Sequence, residues 1–587
     1  MFSLFSRVIV CLDKSSIIKI IKLQFVTLLI GILNVVSALL IAQFVLLISG
    51  SENNIENPFF QSVSFFLNIF YPNNLLLYVS ITVVSFYVLT IMLTLVLTYF
   101  NLRWIQDILV FFQKNLFNYY LEKKWLFHAD NSSKDIISKI HTNTERLSGQ
   151  VLLPFLDLFS SLIISIIILL AVLIVDLRVA LISFIIFSSF YVFFFFFFKK
   201  KLRKSGDEIT RIYPLYFKAI FDAFTSIKDV ILYDKKNYFK NFFSNNLTRF
   251  REMTVIQAYL SQIPRNLIEA IFFTFLIFVV FIAIKYFNYK FSEISALIAF
   301  YGVCAIKIIP AFQKIFKSVT SINSNLSAFE NIEKDLVKAK KFELKNKNDQ
   351  INKKLNFNKS IRLENLSFSY PTNKQAGIFD VNIEIPFGSK VGIVGKTGSG
   401  KSTLLDIILG FISPDKGNIK VDDTIVNEHN VKYWQKNLSY VPQNFYIYEG
   451  DIASNVAFSA DEKLISKEKI KSSLISSELK EFIGNENMNV GENGKKLSGG
   501  QKQRIGIARA IYRDSEIIIL DEATNALDSI TEKNILNNIE SHETIKTILI
   551  VSHRFETLKM CDKFYFIENG KVEKFENFED LMTKYKK

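Results

Sequence analysis

The sequence predicts an α-helical membrane domain of six helices with long cytoplasmic extensions, followed by an α/β domain built around a phosphate-binding loop. Three observations predict this. Apolar residues crowd into the part of the chain before residue 320. There they form six stretches of about the 20 residues that a bilayer-crossing helix needs. Farther on, "KVGIVGKTGSGKSTLLDIILGF" (390–411) places an apolar β-like run ahead of a glycine-rich turn and a helix-forming segment. The expected organisation is a membrane domain over 1–330, a polar linker over 331–359 and a nucleotide-binding domain over 360–587.

Composition narrows the function classes. Half of the 587 residues are hydrophobic, the mean hydropathy is +0.25 and the net charge is +15. Length alone suggests about four domains, but the uneven spread of apolar residues overrides that. A charge of this sign in a soluble protein points to nucleic acid. Here the basic residues flank hydrophobic spans, so the expected partner is the lipid bilayer and not nucleic acid. Cys11, Cys304 and Cys561 lie far apart and form no CxxC pair, and the five histidines are scattered, so neither a disulfide framework nor a histidine–cysteine metal site is indicated. The first apolar stretch follows Arg7, Lys14, Lys19 and Lys22 without a small-residue cleavage site, and reads as a retained span.

The expected spans are 23–48, 75–99, 149–175, 179–198, 266–287 and 293–313. Residues 49–74 hold no Lys or Arg, whereas 100–148 hold seven and 199–265 are rich in both. The positive-inside rule then puts the N-terminus, both long loops and the C-terminal domain in the cytoplasm, and the chain in the cytoplasmic (inner) membrane. The run "YVFFFFFFKKKLRK" (191–204) fits as the inner end of the fourth span with its basic anchor. The long inner segments have few Gly and Pro and read as membrane helices continuing into the cytoplasm. Short connecting elements are expected at about 125–136 and about 212–226, the second started or bent by Pro214. In the first outer loop, aromatics and Ile at 59, 60, 63, 66, 69 and 70 suggest a helix lying at the outer interface.

The C-terminal region carries chemistry. The GxxxxGKS pattern comprises Gly395, Lys396, Thr397, Gly398, Ser399, Gly400, Lys401 and Ser402, with Thr403 after it. Glycines let backbone amides close on phosphate oxygens, Lys401 reaches the terminal phosphates, and the Ser402 hydroxyl suits Mg²⁺. The helix starting near Lys401 directs its positive end at the same phosphates. In "SEIIILDEATNALD" (515–528) a fully apolar run ends in Asp521, placed to hold Mg²⁺, and Glu522, placed to act as general base on water.

The run "LSGGQKQRIGIARA" (497–510) resembles the signature of ABC transporter ATPase domains. Further segments match that family in order: Tyr370 in "FSY", Gln443 in "YVPQ", "VGENG" (490–494), "ALD" (526–528) and His553 in "VSHR". The resemblance implies that Tyr370 stacks on adenine, that Gln443 senses Mg²⁺ and the membrane domain, and that His553 contacts the γ-phosphate. It implies that two such domains pair head to tail, with Ser498, Gly499, Gly500 and Gln501 of one chain closing over the loop of the other. ATP and Mg²⁺ are the implied cofactors. One membrane domain before one ATPase domain resembles an exporter-type half-transporter, working as a homodimer or with a paralogous half.

Cargo is less defined by these residues. "TLLDIILGF", "YVPQNFYIYEGDIASNVAFS" and the hydrophobic outer loop most resemble flippases of lipid-linked oligosaccharides. A glycan pyrophosphate calls for cationic side chains. Arg265, at the mouth of the fifth span, and Lys307, within the sixth, are the candidates. Each has a plainer reading, as a topology marker or a side chain snorkelling to an interface. A multidrug or peptide exporter, and an ATP-gated channel or regulatory protein, stay open as alternatives.

Overall fold

The computed structural model describes residues 2–49, 75–175, 177–287, 291–345, 354–371, 373–459 and 461–585. The chain divides into two compact units, one of Met1–Lys123 with Asp130–Asn348, the other of Lys124–Ala129 with Asp349–Lys587. The outer-loop helix expected near 57–72 lies outside the described residues.

The first unit is helical: α1 (Phe2–Cys11), α2 (Lys14–Ser49), α3 (Leu75–Leu121), α4 (Trp125–Asp130, mostly in the second unit), α5 (Ser133–Ser138), α6 (Thr144–Leu147), α7 (Leu153–Val175), α8 (Leu177–Thr225), α9 (Ile227–Leu232), α10 (Lys236–Phe287), α11 (Phe291–Glu330) and α12 (Glu333–Lys345). At 47 residues α3 is about 70 Å long, more than twice a hydrocarbon core, so much of it extends beyond any bilayer. Helices α8 and α10 are longer still, at 49 and 52 residues.

Against the six expected spans, four stretches among the described residues are long and apolar enough to cross a membrane: Lys14–Val45, Leu76–Leu121, Ser133–Val175 and Ile298–Glu330. The expected spans 179–198 and 266–287 fall on α8 and α10, where many side chains lie outside the described ones. Hydroxyls within the apolar stretches turn back on their own helices. Thr90, Thr94 and Thr98 of α3 donate to the carbonyls of Phe86, Thr90 and Thr94 at 2.7–2.8 Å. None of these three hydroxyls is then left to face hydrocarbon alone.

The second connecting element is displaced from its expected position. Helix α8 runs through Pro214 to Thr225, and the break comes at Ser226, followed by α9 and a turn in which Asp234 has φ 48°. Proline removes one hydrogen bond from a long helix; the stop comes where Ser226 bonds back to Asp222 O through both its amide and its hydroxyl. Two π-helical turns, Lys139–Asn143 and Ser148–Leu152, flank α6, a feature no sequence signal announced. Helices α8 and α11 touch backbone to backbone: a Cβ on Gly206 would lie 2.1 Å from Ser324 O. The stretch expected as a linker begins with α12. That helix is held in the first unit by Arg7 on Glu333 and by Tyr120 and Lys139 on Asp335, at 2.6 and 3.1 Å.

The second unit is α/β. An antiparallel sheet has order β2-β1-β4-β5, from β1 (Ser360–Tyr370), β2 (Asn373–Pro386), β4 (Lys416–Val421) and β5 (Thr424–Ile425). A second sheet has order β10-β9-β3-β8-β7-β6, from β3 (Lys390–Gly395), β6 (Leu438–Val441), β7 (Ile517–Asp521), β8 (Thr547–Val551), β9 (Lys563–Glu568) and β10 (Lys571–Phe575). Strands β9, β3, β8, β7 and β6 are mutually parallel, and only β10 runs against its neighbour. Apolar cores cover both faces: Ile393, Ile519 and Leu549 enter one, and Val394, Ile518 and Ile550 the other. Continuous runs such as Ile517–Leu520 are therefore buried on both sides, as parallel strands require.

Candidate functional site

Ligands of open parallel sheets bind at the carboxyl ends of the strands, and the four adjacent strands β3, β8, β7 and β6 deliver the expected residues there. Lys401 follows β3, His553 follows β8, Asp521 ends β7 with Glu522 next, and Gln443 follows β6. They come from positions more than 150 residues apart, and the sheet order assembles them.

The loop Gly395–Gly400 leads into α13 (Lys401–Ile408), whose first residues are Lys401, Ser402 and Thr403. Gly398 and Gly400 have φ +79° and +111°, where an L side chain is strained. A Cβ on Gly395 would lie 2.3 Å from Ile567 O and 2.7 Å from Ser399 Oγ, so this glycine is demanded by a close approach. The amide of Ser399 donates to Lys396 O at 3.1 Å, and the buried Ser399 hydroxyl has no partner. Lys401 Nζ curls over the loop and donates to the carbonyls of Gly395 at 2.7 Å and Lys396 at 3.0 Å. Burial lowers its pKa, against the pull of Glu522 and Asp521. Tyr370 packs edge-on to Phe368, and its hydroxyl lies 3.2 Å from Thr403 Oγ1, which ties the end of β1 to the start of α13.

Glu522 sits at the centre of the acidic side. Its backbone has φ +49°, uncommon for a residue with a side chain and costing on the order of 1 kcal/mol or more. That turn is held by its amide on Val551 O at 2.9 Å. Gln443 Nε2 donates to Oε2 at 2.6 Å, Asn525 Nδ2 donates to the same oxygen at 3.0 Å, and His553 Nε2 lies 3.0 Å from Oε1. Three side chains thus fix the orientation of one carboxylate. Asp521 accepts from Tyr440 Oη at 3.1 Å; burial raises its pKa, with Glu522 adding in the same direction.

Ser498, Gly499, Gly500 and Gln501 lie elsewhere. They open α14 (Gly499–Tyr512), which packs on β6, whereas α13 packs on β2 and β3. Ser498 and Gln501 form a reciprocal capping box: the Ser498 amide donates to Gln501 Oε1 at 2.9 Å and the Gln501 amide donates to Ser498 Oγ at 3.2 Å. From the same helix, Gln503 Oε1 accepts from the amide of Ala526 at 2.8 Å, so these residues join the 526–528 loop and not the lysine. The Lys307 ammonium lies 4.9 Å from the ring centre of Tyr87, a cation–π contact. The Arg265 side chain lies outside the described ones.

Sequence reasoning missed Tyr440, Asn525 and Arg554. Arg554 donates to Asn525 O, Leu527 O and Glu532, bracing the loop behind Glu522. A polar residue among the apolar ones of β6 was a readable signal for Tyr440. Nothing local marked the other two.

The residues fit a magnesium nucleotide. Tight glycines, an unpartnered hydroxyl and a lysine that bonds only loop carbonyls at its ammonium form an anion cradle. Ser402 and Asp521 offer oxygen ligands, which suit Mg²⁺. Among the described residues there is no cluster of three or more His, Cys, Asp or Glu able to hold a metal ion without such a ligand.

Comparison with known proteins adds context. Residues 378–525 match the ABC transporter family. The chain is similar to an ATP-dependent lipid A-core flippase of Wigglesworthia glossinidia brevipalpis, 34% identical over 283 residues, covering 47% of this chain and 48% of that one. It is similar to proteins of the same description from Vibrio vulnificus, 35% over 229 residues, and Salmonella typhimurium, 35% over 214, covering 39% and 37% of those chains. The chain thus spans about half the length of these relatives, or less. Among solved structures, that of a bacterial Atm1-family ABC exporter with ATP bound aligns with a TM-score of 0.73 at 18% identity, over 98% of this chain and 97% of that one. That likeness shows the fold.

Proposed function

We propose that this chain, which carries an ABC transporter domain and has the fold of an ABC exporter, is one half of an ATP-driven pump that flips or exports an amphipathic substrate across the cytoplasmic membrane. The observation that carries the ATPase half of this reading is Glu522, oriented by Gln443, Asn525 and His553 at the carboxyl ends of β6, β7 and β8. A carboxylate so held is suited to take a proton from an attacking water. Lys401 and the loop amides bind the phosphates, and Ser402 and Asp521 hold the metal. Bound Mg²⁺ supplies neutralisation of phosphate charge. Tyr370, beside Thr403, supports adenine.

The carbonyls that now occupy Lys401 yield readily to phosphate oxygens, a stronger acceptor for an ammonium. Ser498 to Gln501 open a helix that packs on β6, whereas the helix of Lys401 packs on β2 and β3, and they serve the site of a second copy of the chain. A homodimer, or a dimer with a paralogous half, therefore completes each site. The N-terminus and ATPase domain are assigned to the cytoplasm. Relatives named lipid A-core flippase favour a lipid-linked glycan or related lipid as cargo, with Arg265 and Lys307 as the candidate contacts.

Reconstitution in proteoliposomes tests the whole. Labelled lipid-linked glycan is expected to cross the bilayer with ATP and not without it. Equal rates in the two conditions reject the lipid-linked glycan as cargo, and peptide- or drug-stimulated hydrolysis without lipid movement favours the alternative exporter class.

A further inference from the structure

Arg146 belongs to α6 and lies just before the expected third span, which starts at residue 149. It is half-buried and reaches both α8 and α11. Those two helices touch where Gly206 meets Ser324, and Thr210, Asn325 and Ser327 stand within about one turn of that contact.

The guanidinium carries a charge that no neighbour cancels. Nε donates to Asn325 Oδ1 at 3.1 Å and Nη1 to Thr210 Oγ1 at 3.0 Å, both neutral acceptors. The buried Nη2 has no partner, and among the described residues no carboxylate pairs with Arg146. Asn325 is aimed by its own amide, whose Nδ2 donates to Ser321 O at 2.9 Å. The Thr210 hydroxyl donates to Gly206 O at 2.9 Å and lies 2.8 Å from Ser327 Oγ.

Plainer roles do not account for this. A topology marker or a solvated charge needs no burial. A packing residue would be apolar, since a buried charge without a counter-charge costs stability. A cation complementing a helix dipole needs a free helix end, and α6 runs on into the π turn Ser148–Leu152. That turn and Lys139–Asn143 bracket the four residues of α6, and such turns are frequent at functional sites.

The geometry suits an anion with two oxygens to offer. A guanidinium has two forks, Nε with Nη2 and Nη1 with Nη2, and each can hold two oxygens of a phosphate. In Arg146 each fork has one arm on a neutral acceptor, and Nη2, the arm common to both, is unfilled. A phosphoryl group takes Nη2 with one oxygen and displaces Asn325 or Thr210 with another, so charge-assisted bonds replace a neutral one. Burial strengthens them, because little water competes there.

We propose that Arg146 binds the phosphoryl group of a lipid at the inner face of the membrane, with Asn325 and Thr210 holding its fork in place. Basic sites between membrane helices on the cytoplasmic side take lipid phosphates in this way. That the lipid is the transported one rests on the pump reading above; the site itself does not.

Native mass spectrometry of the full-length protein in detergent, without nucleotide, tests this. The probes are a polyprenyl pyrophosphate, phosphatidylglycerol, inorganic pyrophosphate and unphosphorylated polyprenol. The wild type is expected to bind the polyprenyl pyrophosphate about tenfold more tightly than polyprenol. Arg146→Gln should lose about tenfold in that affinity and Arg146→Lys about threefold, because lysine keeps the charge and loses the fork. Polyprenol binding should not change in either. A loss for the pyrophosphate lipid alone makes that lipid the occupant, and an equal loss for phosphatidylglycerol makes the occupant a membrane phospholipid. A loss confined to inorganic pyrophosphate overturns the proposal, and so does full affinity in an Arg146→Gln protein whose unfolding temperature is preserved. If Arg146→Gln does not fold, Arg146→Lys decides, and full affinity there overturns the proposal. Equal affinity of the wild type for the pyrophosphate lipid and polyprenol overturns it outright. Absence of ATP-driven transport, with the Arg146-dependent binding intact, would instead reject the pump reading and leave the site standing.

Discussion

Helix α7 and strand β7 are built from the same residue types, and their side chains meet different surroundings. In α7, Ile166, Leu170 and Ile174 follow one another at every fourth position and are 54–65% exposed. In β7, Ile517, Ile518, Ile519 and Leu520 are at most 1% exposed. Water cannot be the solvent of the first stripe: apolar side chains left in water would cost about 25 cal/mol per Å². Lipid tails impose no such cost, so helices of a membrane unit need not bury that face. The contrast teaches that apolarity fixes location in the ATPase unit, whereas in the helical unit hydroxyl back-bonds and close helix contacts such as Gly206 on Ser324 carry more of the specificity.

The contrast can be broken or sharpened by experiment. The largest expected effect is chemical. Glu522→Gln keeps the shape of the side chain and removes the base, so hydrolysis should fall about 10²–10⁴-fold with ATP still bound. Single-turnover rates check this, and a wild-type rate would remove Glu522 from its role. Next comes packing. Ile519→Ala, at 0% exposure, is expected to destabilise the ATPase unit by about 2–5 kcal/mol. Leu170→Ala, at 54% exposure, should change thermal stability in lipid by less than about 0.5 kcal/mol. Equal effects would erase the distinction between the two units.

A smaller effect concerns charge. Burial first, and then Asp521, push the Asp406 carboxyl up to about 6, although the Trp125 bond lowers it. The folded state thus holds that proton more tightly than the unfolded chain. The cost of the ionised group is absent below about pH 4, grows between pH 4 and 6 and is complete above. Asp406→Asn removes that cost, which solvent screening of the half-buried group keeps to about 1 kcal/mol. Thermal unfolding should show a gain at pH 7.5 that shrinks as pH falls below 6, and a pH-independent gain would contradict it. The smallest effect is expected of Tyr440→Phe, which frees Asp521 from one hydrogen bond of about 1 kcal/mol. The Mg²⁺ needed for half-maximal hydrolysis should shift about fivefold, and no shift would leave Tyr440 a packing residue.

Much of the ATPase unit was legible because its information is local. Three glycines in the loop, an apolar run ending in two acids and a proline-free helix each state their geometry within a dozen residues. Asn525 and Arg554 were not legible, since they matter only through bonds to residues that the strand order brings near. The same holds for the second connecting element. Pro214 advertised a break that a 49-residue helix absorbs, whereas the actual stop at Ser226 depends on a bond back to Asp222.

By itself the sequence determined the class of each unit, because hydropathy and periodicity decide which segments leave water and in what secondary structure. It also determined the phosphate loop and the acidic pair, whose chemistry is set by residue type at fixed spacing. Only the tertiary structure decided that Lys401, His553, Glu522 and Gln443 share one end of one sheet, and that Ser498 does not join them. It alone made Lys124–Ala129 part of the ATPase unit, with Trp125 on Asp406. The reason is physical: strand order and side-chain contact are set by free energies summed over the whole chain, and no short window of sequence contains that sum.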